Sequence, residues 1–160
     1  MSLVRYTMLL ALVVWIGGLI FFSFVLAPTV FHPGILPSRQ LAGNVVSRSL
    51  GILHLTGVCC GVVFAVTSMI ESRVVSGSAQ PFAVRHLLVY GMIILTVVSM
   101  LAVGSKMQML RQQMVVIDEL PQNDSRRIEF NRLHAWSTRI EETVLLLGLA
   151  LLYATARRVS

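Results

Sequence analysis

Phe130–Tyr153, FNRLHAWSTRIEETVLLLGLALLY, is the stretch from which the fold follows. From Thr143 onward it is apolar and uncharged, whereas its first half carries His134, Ser137, Arg139, Glu141 and Glu142. A charge at the centre of a membrane helix costs roughly 2.5–3.5 kcal/mol on translocon scales, so ionisable groups at the mouth of an apolar segment face protein or water and mark a site. The stretch is therefore expected to be one helix, with its second half in a membrane and a polar constellation at its entrance.

On that helix Phe130, His134, Ser137, Glu141, Leu145 and Gly148 share one face at three- to four-residue spacing. Leu133, Trp136, Ile140, Val144 and Leu147 form the neighbouring stripe, with Trp136 placed as an interfacial anchor. Glu141 lies roughly 7 Å deeper than Trp136 at 1.5 Å per residue. Arg139 and Glu142 stand at i, i+3 and are expected to form an internal ion pair. Glu141 then has no partner on its own helix and needs a cation, or a proton, from elsewhere.

Composition agrees with a membrane setting. The chain has 160 residues, of which 56% are hydrophobic and 12% charged, against about a quarter charged in soluble domains. The length suits a single domain. The formal net charge of +6 does not imply nucleic acid, because the basic residues flank apolar runs, where membrane topology and anionic headgroups call for them. Cys59 and Cys60 are adjacent within an apolar run. They suit neither a disulfide framework nor zinc, and read as core cysteines.

Three further spans precede the quoted stretch. Thr7–Phe31 includes LLALVVWIGGLIFFSFVLAP, too long for a signal-peptide core and long enough to cross hydrocarbon. Pro28 should end or kink it, while Gly17 and Gly18 permit close helix approach. His32–Ser49 is expected to be a polar connection broken by Pro33, Gly34 and Pro37, with a short interfacial helix from Ser38. The second span is Leu50–Ile70, in which Gly57 and Gly61 make a small-xxx-small face. A Ser- and Gly-containing loop over Glu71–Pro81 leads to Arg85, His86 and the uncharged third span Leu87–Gly104. Met107, Leu110, Met114 and Ile117 then continue one helix face to about Leu120, before Pro121. Asp124 or Ser125 should cap the last helix, which Arg157 and Arg158 close.

The expected architecture is thus all-α: an integral membrane four-helix bundle spanning about 7–30, 50–70, 87–104 and 136–156, with helices three and four extended beyond the membrane. Basic residues divide as five on the side of the termini (Arg5, Arg73, Arg85, Arg157, Arg158) and eight on the other. The balance leans towards cytoplasmic first and third loops in a bacterial inner membrane. Four spans bring His32, Arg48, His54, Lys106, His134, Ser137, Arg139, Glu141 and Glu142 to one membrane face, and put His86 at the other. The candidate ligand-binding set is His54, His134, Ser137, Glu141, Arg39 and Arg48, with the two arginines also placed towards headgroups. This set reads either as a polar cap that fixes helix register or as a site for a ligand, ion or proton. His54 facing His134 would admit a transition metal or bis-imidazole haem b, and eight methionines, Met100, Met107 and Met109 among them, would suit copper.

WIGGLIFFSFVLAPTVF, LPSRQLAGNVVSRSLGILH and FNRLHAWSTRIEE resemble, in this order, the transmembrane protein 205-like family of small four-helix membrane proteins. The resemblance rests on the LP-x-R-x-x-x-G loop (Leu36, Pro37, Arg39, Gly43), a span-two histidine (His54) and an F-x-x-x-H-x-x-S opening (Phe130, His134, Ser137). Glu141 stands where some relatives have Asn. The family has no settled activity, and its eukaryotic member is associated with platinum-drug resistance. The Trp-Gly first span is loosely similar to copper-resistance and protoporphyrinogen-oxidase-like membrane proteins, which carry a first-span His where this chain has Leu12–Val14 before Trp15. Three expectations follow: a membrane protein with a polar site that binds or moves a small ligand, metal or proton; an accessory subunit docking on a larger membrane complex or on its own copies; or a haem-dependent oxidoreductase.

Overall fold

The computed structural model describes residues 2–77, 83–113 and 121–159. These form four long helices: α1, Ser2–Val30; α2, Arg39–Ser76; α3, Val84–Gln113; and α4, Ser125–Val159. The chief packing contacts are α1 with α2, α3 with α4, α2 with α3, and α1 with α4, so α2 and α4 sit on a diagonal. α1, α2 and α3 are each long and apolar enough to cross a membrane. Their outward surfaces remain apolar, with Val13, Phe24, Ile52, Leu55, Val62, Ile94 and Leu101 exposed. Helices that are apolar all round need an apolar solvent. The chain is a multi-pass integral membrane protein in a lipid environment. α4 exposes Leu146, Leu149 and Tyr153 in the same way, but its uncharged run Thr143–Ala156 is shorter than the ~20 residues that hydrocarbon demands.

Two helices contain a widened, π-type turn. In α1 it covers Phe22–Leu26, immediately before Pro28. Proline offers no N–H to the carbonyl four residues back and its ring crowds that carbonyl, so the ladder loosens there while the helix continues. In α3 it covers Ser99–Gly104 and leaves Ser99 and Val103 buried.

Both expected connections are shorter than the sequence reading gave them. The polar segment before the second span is helical from Arg39 in one piece with the span itself, and Ser38 caps it by accepting the Leu41 N–H at 3.2 Å. Breaker residues confine the connection to Phe31–Ser38, and nothing after Ser38 interrupts the helix. Glu71–Ser76 is likewise helix rather than loop, ending where Gly77 adopts a φ of 68°. Cys59 is not a core residue: it is exposed, and Cys60 is half-buried against the core. The amphipathic continuation of α3 is helical to Gln113, where Leu110 packs with Phe130, Met107 and Leu133; Met114–Leu120 lie outside the described residues.

The core forms around Trp15, Leu12, Phe64, Val89, Met92, Val144 and Leu151. Trp15 lies in a notch of α2 that only glycine provides. A Cβ on Gly61 would fall 2.7 Å from the indole, and one on Gly57 would overlap it. Gly18 admits Leu53 in the same way. The small-xxx-small face of α2 is therefore the seat of one aromatic side chain.

Gly57→Ala should lower the melting temperature, by an overpacking cost of about 1–3 kcal/mol. Gly51→Ala, with nothing within 4 Å of the added carbon, should be neutral or stabilising. Thermal unfolding of the two variants in detergent checks this, and equal effects would refute the notch. At the start of α4 the Asp124 carboxylate accepts the Arg126 N–H at 2.8 Å and pairs with the Arg126 guanidinium. These contacts hold its pKa down to about 2. A depressed carboxyl pKa contributes stability at neutral pH that is lost as pH falls through the folded value. The Arg126 amide resonance should accordingly stay fixed near neutrality and titrate with a midpoint near the pKa of Asp124.

Candidate functional site

His54 enters from α2, Ser99 from the widened turn of α3 and Glu141 from α4. His54 Nε2 lies 2.6 Å from Glu141 Oε1, and the two side chains are 5% and 9% exposed. A contact of this length holds one proton, carried either by the imidazole or by the carboxyl. Ser99 Oγ donates to the same carboxylate oxygen at 3.0 Å. The other oxygen, Oε2, is buried and has no hydrogen-bond partner among the described residues. Thr96, one turn before Ser99, is also buried, and its hydroxyl oxygen lacks a partner there. Ser137, one turn before Glu141, is buried as well. Three helices thus surround a carboxylate that is satisfied on one side only.

The remaining candidates lie elsewhere. His134 is exposed on α4, outside the buried contact of His54, and its carbonyl accepts the Thr138 hydroxyl. The inward positions around it are Phe130, Leu133 and Ser137. Arg39 and Arg48 are exposed on the first turns of α2. Lys106 is half-exposed and pairs with Glu129 at 2.7 Å, which draws it away from Glu141. His32 is exposed, with Nδ1 2.9 Å from the Pro33 carbonyl. The Arg139 guanidinium lies 6.0 Å over the Trp136 ring, and no ion pair to Glu142 forms among the described residues. No group of three or more His, Cys, Asp or Glu side chains gathers to hold a metal ion among those residues.

Sequence reasoning missed Ser99 and Thr96. Their signal was an i, i+3 pair of hydroxyls in an otherwise apolar third span. It also missed a second polar cluster, at the other end of the helices. There Glu71 Oε1 accepts from Arg5 Nε at 2.8 Å, and Glu71 Oε2 from an Arg85 terminal nitrogen at 3.0 Å. The other Arg85 terminal nitrogen donates to the Ser72 hydroxyl at 2.5 Å and the Ser68 carbonyl at 3.2 Å. An acid ending one span and an arginine opening the next were visible, but reading Glu71 as a loop residue kept them apart.

Removing one member of a buried charged pair leaves the other unpaired, at a cost of about 3–5 kcal/mol, while replacing both by apolar groups is often neutral. His54→Leu should therefore destabilise strongly, and His54→Leu combined with Glu141→Leu should recover much of that loss. The coupling expected from the thermal-unfolding double-mutant cycle is about 1–3 kcal/mol. Additive effects of the two substitutions would mean that the pair does not interact.

No curated protein and no solved structure matches the chain. Residues 10–115 match the family described as Domain of unknown function (DUF4149). That match takes in most of α1 and all of α2 and α3, with His54 and Ser99, and ends before α4 and Glu141. With about two thirds of its residues matched, this membrane protein belongs to the DUF4149 family, whose function is unknown.

Proposed function

We propose that the chain is a four-helix membrane bundle, of the bacterial inner membrane, whose His54–Ser99–Glu141 site binds an exchangeable proton. The carrying observation is the half-satisfied carboxylate: Oε1 has two partners, and the buried Oε2 has none among the described residues. A buried ionised oxygen without a partner is costly, and a proton is the smallest ligand that removes that cost. The titratable groups that meet there are His54 from α2 and Glu141 from α4. α3 contributes the Ser99 hydroxyl, and the buried positions of α1 (Met8, Ala11, Leu12, Trp15, Ile16, Leu19) are all apolar. Ser137 lies between the site and the helix mouth, and the exposed His134, Arg39 and Arg48 supply a polar approach at that face. The motifs around Pro37, His54 and Ser137 support kinship with transmembrane protein 205-like proteins. Glu141 gives this chain a titratable group where some of those relatives have an amide.

Infrared difference spectroscopy of the purified protein across a pH step tests the assignment. A protonated-carboxyl band at the high frequency of a buried group should appear on acidification, vanish in Glu141→Gln and shift its midpoint in His54→Gln. Glu71, the other carboxylate buried among the described residues, is held by two guanidiniums, and Glu71→Gln should leave the band in place. A spectrum without such a band, or one that Glu141→Gln leaves unchanged, would overturn the proposal.

A further inference from the structure

The second polar cluster carries an excess of charge that nothing in it balances. Arg5 and Arg85 share the single carboxylate of Glu71, two cations against one anion. Arg85 is 5% exposed, so its charge lies in a medium where Coulomb interactions are weakly screened and unpaired ions are costly. Arg85 Nε and the Ser68 hydroxyl oxygen are buried without hydrogen-bond partners among the described residues. Arg5, by contrast, is 38% exposed, which opens the cluster to the surface. The other charged side chains on this end of the helices are basic too. Arg73 lies exposed on the last turn of α2, and Arg157 lies over the Tyr153 ring near the end of α4. Glu71 is the sole acid among the described residues of the amino-terminal turns of α1 and α3 and the carboxyl-terminal turns of α2 and α4.

We propose that Arg5, Arg85 and Ser68 form a binding site for a phosphate-bearing anion, the headgroup of an acidic lipid. Guanidiniums match phosphate oxygens in geometry as well as charge. A basic pocket between membrane helices at headgroup level is where such a group is met. The phosphate supplies the missing negative charge, Arg5 holds it from the exposed side, and Arg85 and Ser68 meet it from within. The proton site at the other end of the helices takes no part in this, and either assignment stands without the other.

The test uses the full chain in detergent with added phosphatidylglycerol or phosphatidylcholine, and reads bound lipid by native mass spectrometry and lipid-dependent stabilisation by thermal unfolding. Phosphatidylglycerol should be retained and should stabilise, and phosphatidylcholine much less. Arg5→Gln should weaken phosphatidylglycerol about tenfold, as expected for one charge-assisted hydrogen bond. Arg157→Gln, on the same end but outside the cluster, should leave it unchanged. Arg5→Lys keeps the charge and should keep most of the preference, which separates lost binding from lost folding. Inorganic phosphate gives a further arm. Displacement of the lipid by phosphate would show that the phosphate group alone is recognised, and failure to displace it would show that the lipid ester is needed; both outcomes uphold the site. Equal binding of the two lipids, or equal weakening by Arg5→Gln and Arg157→Gln, would overturn it, since either marks diffuse attraction.

Discussion

The carboxylate of Glu141 sets the terms for the helices around it. It sits on α4 at the edge of an apolar run, 9% exposed, and its nearest partner comes from the helix diagonally opposite. Neighbouring helices in this arrangement are joined by apolar packing and, towards their ends, by the Arg5–Glu71, Arg85–Glu71 and Lys106–Glu129 pairs. The diagonal is joined here by a 2.6 Å contact between ionisable groups, reinforced by Ser99. Such a contact has a steep dependence on geometry, unlike the non-directional apolar contacts around it. It therefore fixes how far α2 and α4 approach and in what register. The π-type turn over Ser99–Gly104 is consistent with that demand, for a wider turn changes which residues of α3 face inward at the level of the carboxylate.

Much of this was legible in the residues because membrane helices obey few rules. Long apolar runs give helices, and alternating passage across the bilayer gives the faces that meet. His54 and Glu141 could be brought together on those two rules alone. His134 shows where they stop. At three to four residues per turn, Leu133 and His134 both fall near the Glu141 face, and the helical wheel does not choose between them. Packing decides it: Leu133 joins Leu110 and Phe130 in a small apolar cluster, and His134 turns outward. Arg139 is a similar case, since i, i+3 spacing made Glu142 available but the Trp136 ring offered a cation a face at the same surface.

Boundaries were the least legible part. Polar and breaker residues in 32–49 and 71–81 read as connections, yet one helix runs from Arg39 to Ser76, with its ends set by the Ser38 cap and by Gly77. Glu71 is the instructive residue. A carboxylate at a span's end looks solvated in the sequence, and becomes buried only because Arg5 and Arg85 arrive from two other helices to pair with it. No local pattern in the chain records that meeting.

Between the two polar clusters the interior is apolar. From His54 to Glu71 along α2 is about 25 Å at 1.5 Å per residue, and the core between them is built of Trp15, Phe64, Val89 and Met92. Phe64 and Trp15 are among the largest fully buried side chains, and Trp15 is gripped by the glycines of α2. A proton held at the proposed site would therefore meet the closely packed side chains of Trp15, Phe64, Val89 and Met92 before it reached the other end. A close-packed core yields by switching arrangement rather than by stretching. Movement of a proton across the chain would accordingly require α1 to leave the Gly57–Gly61 notch. In the arrangement seen here, exchange of a proton at the proposed His54–Glu141 site would run through its own membrane face.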